Sequence, residues 1–211
     1  TLFNLRRMLM NKSFIIKIIV LCLVTIKVSA IEKVILFGDS LMAGYGLPNE
    51  QHLSVVLQNS LEVEGHNIEI VNGSVSGSTS AGGLNIAEWT LSENNIDLMI
   101  LCLGANDMLR GINPKETKNN LEEIIKIAKN KNIKVVIAGM IAPNSYGSVY
   151  KKSFDKIFSD LSKKYKLKLI PFLLEGVAQK PEFNLSDGMH PNDQGTIIIG
   201  NTLKKAILEN L

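Results

Sequence analysis

A chain of 211 residues with 45% hydrophobic and 20% charged side chains has the size and composition of one globular domain, which excludes a disordered or fibrous protein and leaves little room for a second core. The formal charge of +3 belongs to the first thirty residues: Arg6, Arg7, Lys12, Lys17 and Lys27 all precede residue 31, where no acidic residue occurs. Without those five, 18 basic side chains face 20 acidic ones, and a mildly acidic domain excludes nucleic acid as a partner.

Residues 1–30 read as a signal peptide. A basic start leads into an apolar stretch from Phe14 to Val24, and Val28-Ser29-Ala30 places small residues where a signal peptidase cuts. The stretch is interrupted by Lys17 and is shorter than the roughly 20 apolar residues of a membrane span. Cleavage after Ala30 and export, with a bacterial periplasm as destination, is the expectation, and an uncleaved membrane anchor is the alternative. Cys22 leaves with the leader, so Cys102 has no internal disulfide partner and is expected to pack inside a strand.

From residue 33 to the C-terminus the pattern predicts a single α/β domain spanning 31–211. Apolar runs at Lys33–Phe37, Ile68–Val71, Leu98–Leu103, Val135–Ala138 and Leu167–Ile170 lack strict alternation, as expected of parallel strands buried on both faces. Between them, apolar residues recur at helical spacing: Leu53, Val56, Leu57 and Leu61, then Leu121, Ile124, Ile125 and Ala128, then Phe154, Ile157, Phe158 and Leu161. Strands alternating with helices predict a three-layer α/β/α architecture, whose ligands bind beyond the carboxyl ends of the strands.

Residues with reactive chemistry follow the strands. Gly38-Asp39-Ser40-Leu41 comes after the first, and Asp187-Gly188-Met189-His190-Pro191 lies beyond the last. A serine hydroxyl needs a base to take its proton, and an imidazole with an ordinary pKa near 6.5 suits that task. His52 precedes a helix and His66 a strand, where an exposed or capping histidine is expected, so His190 is the candidate base. Asp187, three residues earlier, is the candidate that steers its ring. Acyl transfer also needs donors for the oxygen that becomes negative. Gly77, the Asn106 side chain and the Ser40 N–H are the candidate donors. Each piece has a plainer reading: Gly77 as a turn, Asn106 as a helix cap, Asp39 or Ser40 as the cap of the first helix.

These four blocks resemble the GDSL or SGNH hydrolase family, with Ser40, Gly77, Asn106 and His190 at the positions that give the family its name. Ala43–Pro48, Thr79–Leu84, Leu109-Arg110-Gly111 and Pro143–Gly147 also look like its bacterial periplasmic members described as acyl-CoA thioesterases, arylesterases or lysophospholipases. The resemblance implies a flavodoxin-like five-stranded parallel sheet of order 2-1-3-4-5, hydrolysis of esters or thioesters through an acyl-enzyme on Ser40, and no metal or organic cofactor. It implies a small acyl ester, thioester or lysophospholipid as substrate, no obligate protein partner, and Leu109, Ile141, Pro143 and Tyr146 as acyl-chain contacts. Ser78, Ala105 and His52-Leu53 depart from that subfamily, which usually has Asp, Gly and a tryptophan there. A carbohydrate or peptidoglycan O-acetyl esterase would use the same triad. A non-catalytic flavodoxin-like binding module is the remaining alternative, disfavoured because Asp39 opposes phosphate and no Gly-x-Gly-x-x-Gly follows the first strand.

Overall fold

The computed structural model describes residues 32–93 and 95–211; the signal peptide expected at 1–30 lies outside them. Five strands form one parallel sheet: β1 (Glu32–Gly38), β2 (Ile68–Asn72), β3 (Leu98–Cys102), β4 (Lys134–Ala138) and β5 (Lys168–Ile170). Their order is β2-β1-β3-β4-β5, with Leu36 of β1 opposite Asn72 on one side and Ile100 on the other. Val34–Phe37 and Leu98–Cys102 are at most 1% exposed, because central parallel strands are covered on both faces.

The helices are α1 (Ser40–Ala43), α2 (Leu53–Val63), α3 (Ser80–Thr90), α4 (Ala105–Leu109), α5 (Pro114–Asn130), α6 (Ser148–Tyr165) and α7 (Asp193–Leu208). Helices cover both sides of the sheet, α2 packing with α7 and α5 packing between α3 and α6. All four residues of the α5 stripe and all four of the α6 stripe are buried. In α2, Leu53, Leu57 and Leu61 are buried, while Val56 is half-buried beside Gly200 of α7.

Two residues of the apolar runs fall outside the strands. Leu103 is buried but lies past the end of β3. Leu167 lies in the turn that closes α6: Lys166 turns left-handed at φ 54°, and the N–H groups of Lys166 and Leu167 both bond to the Ser162 carbonyl. The run Ser80-Ala81-Gly82-Gly83 has low helix propensity, yet α3 forms there. Thr79 caps it by accepting from the Gly82 N–H at 3.1 Å, and Gly83 lets the helix lie so close to the sheet that a Cβ would collide with Leu103.

Candidate active site

The carboxyl ends of β1, β2 and β3 bring three loops to one edge of the sheet. At Gly38 a Cβ would come within 2.6 Å of the Cys102 carbonyl and 2.7 Å of Met42, so the turn from β1 into α1 requires glycine. Asp39 is the N-cap of α1, its side chain accepting from the Leu41 N–H at 3.1 Å. Ser40 is therefore the first helical residue, whose N–H has no acceptor within the helix.

His190 arrives on a loop closed by its own hydrogen bonds. Leu185 N–H donates to the His190 carbonyl at 2.7 Å, Asn184 bridges to Pro191, and buried Asn184 donates to the carbonyls of Val177 and Lys180. Asp187 accepts from the backbone N–H groups of Met189 and His190 through Oδ1, at 2.9 and 3.0 Å, and from His190 Nδ1 through Oδ2 at 2.7 Å. A carboxylate only accepts, so Nδ1 carries the proton and Nε2, 2.9 Å from Ser40 Oγ, is free to accept the hydroxyl proton. Partial burial works to raise the Asp187 carboxyl, but the two N–H groups and the imidazole outweigh it and hold it at about 2.

Gly77 sits in an exposed turn at φ 78°, with open space where a side chain would be. Asn106 lies in the first turn of α4, half-buried, its Nδ2 donating to Asp39 Oδ2 at 3.3 Å. Among the residues expected to touch an acyl chain, Leu109 and Ile141 are 51% and 44% exposed and Pro143 is exposed. Tyr146 stacks on Tyr150 at 5.5 Å and helps line a cleft of about 830 Å³ with Gly111, Asn113, Pro114 and Val149; Ser40, Asp187 and His190 are not among its walls.

Several neighbours of the site had no catalytic role in the sequence pattern. The Tyr45 ring lies 4.4 Å from the His190 ring, and Arg110 donates to the Gly77 carbonyl at 3.0 Å. Asp39 is fully buried, and burial pushes its carboxyl up to about 6 against the pull of the Leu41 N–H and the Asn106 amide. Asp107, also fully buried, binds Ser80 and Thr117. Adjacency to Ser40 and Asn106 was the available signal for the two aspartates. His52 occupies the N-cap position of α2 but makes no capping bond with its side chain, which is half-buried against Gly44 with Nε2 3.0 Å from the Leu47 carbonyl. Cys102 is buried, and burial followed by the nearby Asp39 raises its thiol well above the ordinary range.

A parallel doubly wound sheet with a serine, an imidazole and a carboxylate in hydrogen-bonded series at its carboxyl edge has the construction of a serine hydrolase. Residues 36–196 match the GDSL-like Lipase/Acylhydrolase family, to which the chain belongs, and it is an esterase or thioesterase of that family. It is 35% identical to an arylesterase of Vibrio mimicus over 86% of this chain and 91% of that one. It is 30% identical to the thioesterase 1/protease 1/lysophospholipase L1 of Escherichia coli K12, over 89% and 88% of the two chains. The crystal structure of TesA superimposes with a TM-score of 0.81 at 32% identity, covering 85% of this chain and all of that one.

Proposed function

We propose that the protein hydrolyses carboxylic esters and thioesters through an acyl-enzyme on Ser40, with His190 as base and Asp187 as its orienting carboxylate. The observation that carries this reading is the unbroken series from Asp187 Oδ2 to His190 Nδ1 at 2.7 Å and from His190 Nε2 to Ser40 Oγ at 2.9 Å. Ser40 Oγ attacks the acyl carbon as its proton passes to Nε2. The carbonyl oxygen becomes negative and is held by the N–H groups of Ser40 and Gly77 and by the Asn106 amide. Collapse of the tetrahedral species breaks the bond to the alkoxide or thiolate, which leaves with the proton from His190. Water then gives its proton to His190 and attacks the acyl-enzyme, and the second collapse returns that proton to Ser40 and frees the carboxylic acid. Asp187 stays ionised throughout, as a carboxyl held at about 2 must at neutral pH.

The exposed apolar side chains of Leu109 and Ile141 support an acyl chain as the apolar part of the substrate, a lysophospholipid included. The leader read at residues 1–30 supports export to a periplasm; amino-terminal sequencing of the secreted protein, beginning at Ile31, tests it. The reaction is tested with a chain-length series of p-nitrophenyl esters and with acyl thioesters, on the parent and on Ser40→Ala. Turnover by the parent that disappears in Ser40→Ala is the expected result. Equal turnover by both would remove Ser40 from the mechanism, and exclusive action on acetyl esters would favour a glycan O-acetyl esterase.

A further inference from the structure

Capping α1 occupies one oxygen of Asp39. The other has a different partner: Oδ2 accepts from Nδ2 of Asn106, 67 positions later, at 3.3 Å, while Oδ1 accepts from Leu41 N–H at 3.1 Å. The carboxyl is 0% exposed, so water does not compete for either oxygen. We propose that Asp39 is the positioning residue of the oxyanion amide, deciding which end of the Asn106 side chain faces the reacting carbonyl. The inference rests on the role assigned to Asn106 above.

A carboxamide is nearly symmetric in shape but has a donor at one end and an acceptor at the other, so packing alone does not choose between its two orientations. An ionised carboxylate accepts only. It therefore takes one N–H of Asn106 and leaves the second N–H of the same nitrogen for the substrate oxygen. A protonated Asp39 would instead donate its O–H to the amide oxygen of a turned Asn106. That oxygen would then face the developing oxyanion and repel it.

The groups facing Asp39 set when the change occurs. Burial pushes the carboxyl up to about 6; His190 at the mouth of the site favours the ionised form, Asp107 of α4 opposes it, and the Cys102 thiol at the end of β3 is neutral. During turnover His190 becomes an imidazolium, which strengthens the ionised form of Asp39 when the oxyanion needs its donor.

The test is a double-substitution cycle in the full chain with p-nitrophenyl butyrate, using Asp39→Asn, Asn106→Ala and the pair. Asp39→Asn keeps the shape of the side chain and an acceptor for Leu41, but offers Asn106 no carboxylate. The expected result is a kcat about 10- to 100-fold lower with little change in KM, and no further loss when Asn106→Ala is already present. Losses that multiply in the pair would show a merely structural Asp39 and overturn the proposal. A second measurement does not need the Asp39 variant to fold. In the parent, the acid-side fall of kcat should include the uptake of a proton on Asp39, and in Asn106→Ala that proton should no longer affect the rate. An identical acid limb in both overturns the proposal. Ser40→Ala separates the levels: turnover surviving there defeats the active-site reading itself, whereas turnover lost there with a multiplicative cycle defeats only the role of Asp39. An Asn106→Ala variant as active as the parent defeats both the oxyanion amide and its positioning.

Discussion

The Asp107 carboxylate accepts both the backbone N–H and the hydroxyl of Ser80, at 2.7 and 2.5 Å. Thr117 donates to the same carboxylate at 3.1 Å, and Asn120 donates to the Ser80 hydroxyl at 3.0 Å. Ser80 opens α3 three residues after Gly77, and Asp107 follows Asn106, so one buried cluster joins the loops of two proposed oxyanion donors.

Removing the carboxylate strands these buried donors. Asp107→Ala should lower unfolding stability by about 3 kcal/mol, and Ser80→Ala by about 1–2 kcal/mol. Urea denaturation at neutral pH measures both, and losses within about 0.5 kcal/mol of zero would mean that water replaces the cluster without cost.

Arg110 holds the Gly77 carbonyl from the exposed side, where the bond adds little to stability. Arg110→Ala should leave the melting temperature nearly unchanged while lowering kcat about tenfold, because the Gly77 turn loses its fixed orientation. Arg110→Lys should recover part of the rate. Full activity in Arg110→Ala would show that the turn is rigid by itself.

Asp187 receives two backbone N–H groups as well as the His190 ring, so it shapes the loop and selects the tautomer together. Asp187→Asn should lower kcat by about 10³- to 10⁴-fold, since an amide nitrogen facing Nδ1 favours the wrong tautomer. Its folding should persist, because the carboxylate is a third exposed and screened by water. A drop of less than about tenfold would reassign Asp187 to a structural role.

Asp39 predicts a pH dependence for stability. Its carboxyl is raised from 3.8 to about 6, so the folded chain binds this proton more tightly than the unfolded chain does. The penalty for burying the charge is absent below 3.8, grows between 3.8 and about 6, and is complete above that. Asp39→Asn lacks the penalty. Relative to the parent, its unfolding free energy should gain up to about 3 kcal/mol as pH rises from about 4 to about 7. A constant difference across that range would mean that Asp39 carries no such burden.

The sequence by itself determined the strands and most of the helices, because both write their burial into local order. Val34–Phe37 and Leu98–Cys102 are continuous apolar runs since both faces of a central parallel strand are covered, and Leu121, Ile124, Ile125 and Ala128 repeat at helical spacing since one side of α5 faces the core. It also marked Ser40, Asp187 and His190 as reactive groups after strands. Tertiary structure alone decided what surrounds them. Asp39 meets Asn106 across 67 positions, Ser80 meets Asp107 across 27, and Arg110 reaches Gly77 across 33. Such pairs exist because β1 lies between β2 and β3, which sets the loops after all three side by side, and no periodicity along the chain encodes that adjacency. The helix at Ser80–Thr90 follows the same logic: weak local propensity is overridden by a glycine that fits against Leu103 only once the sheet is there.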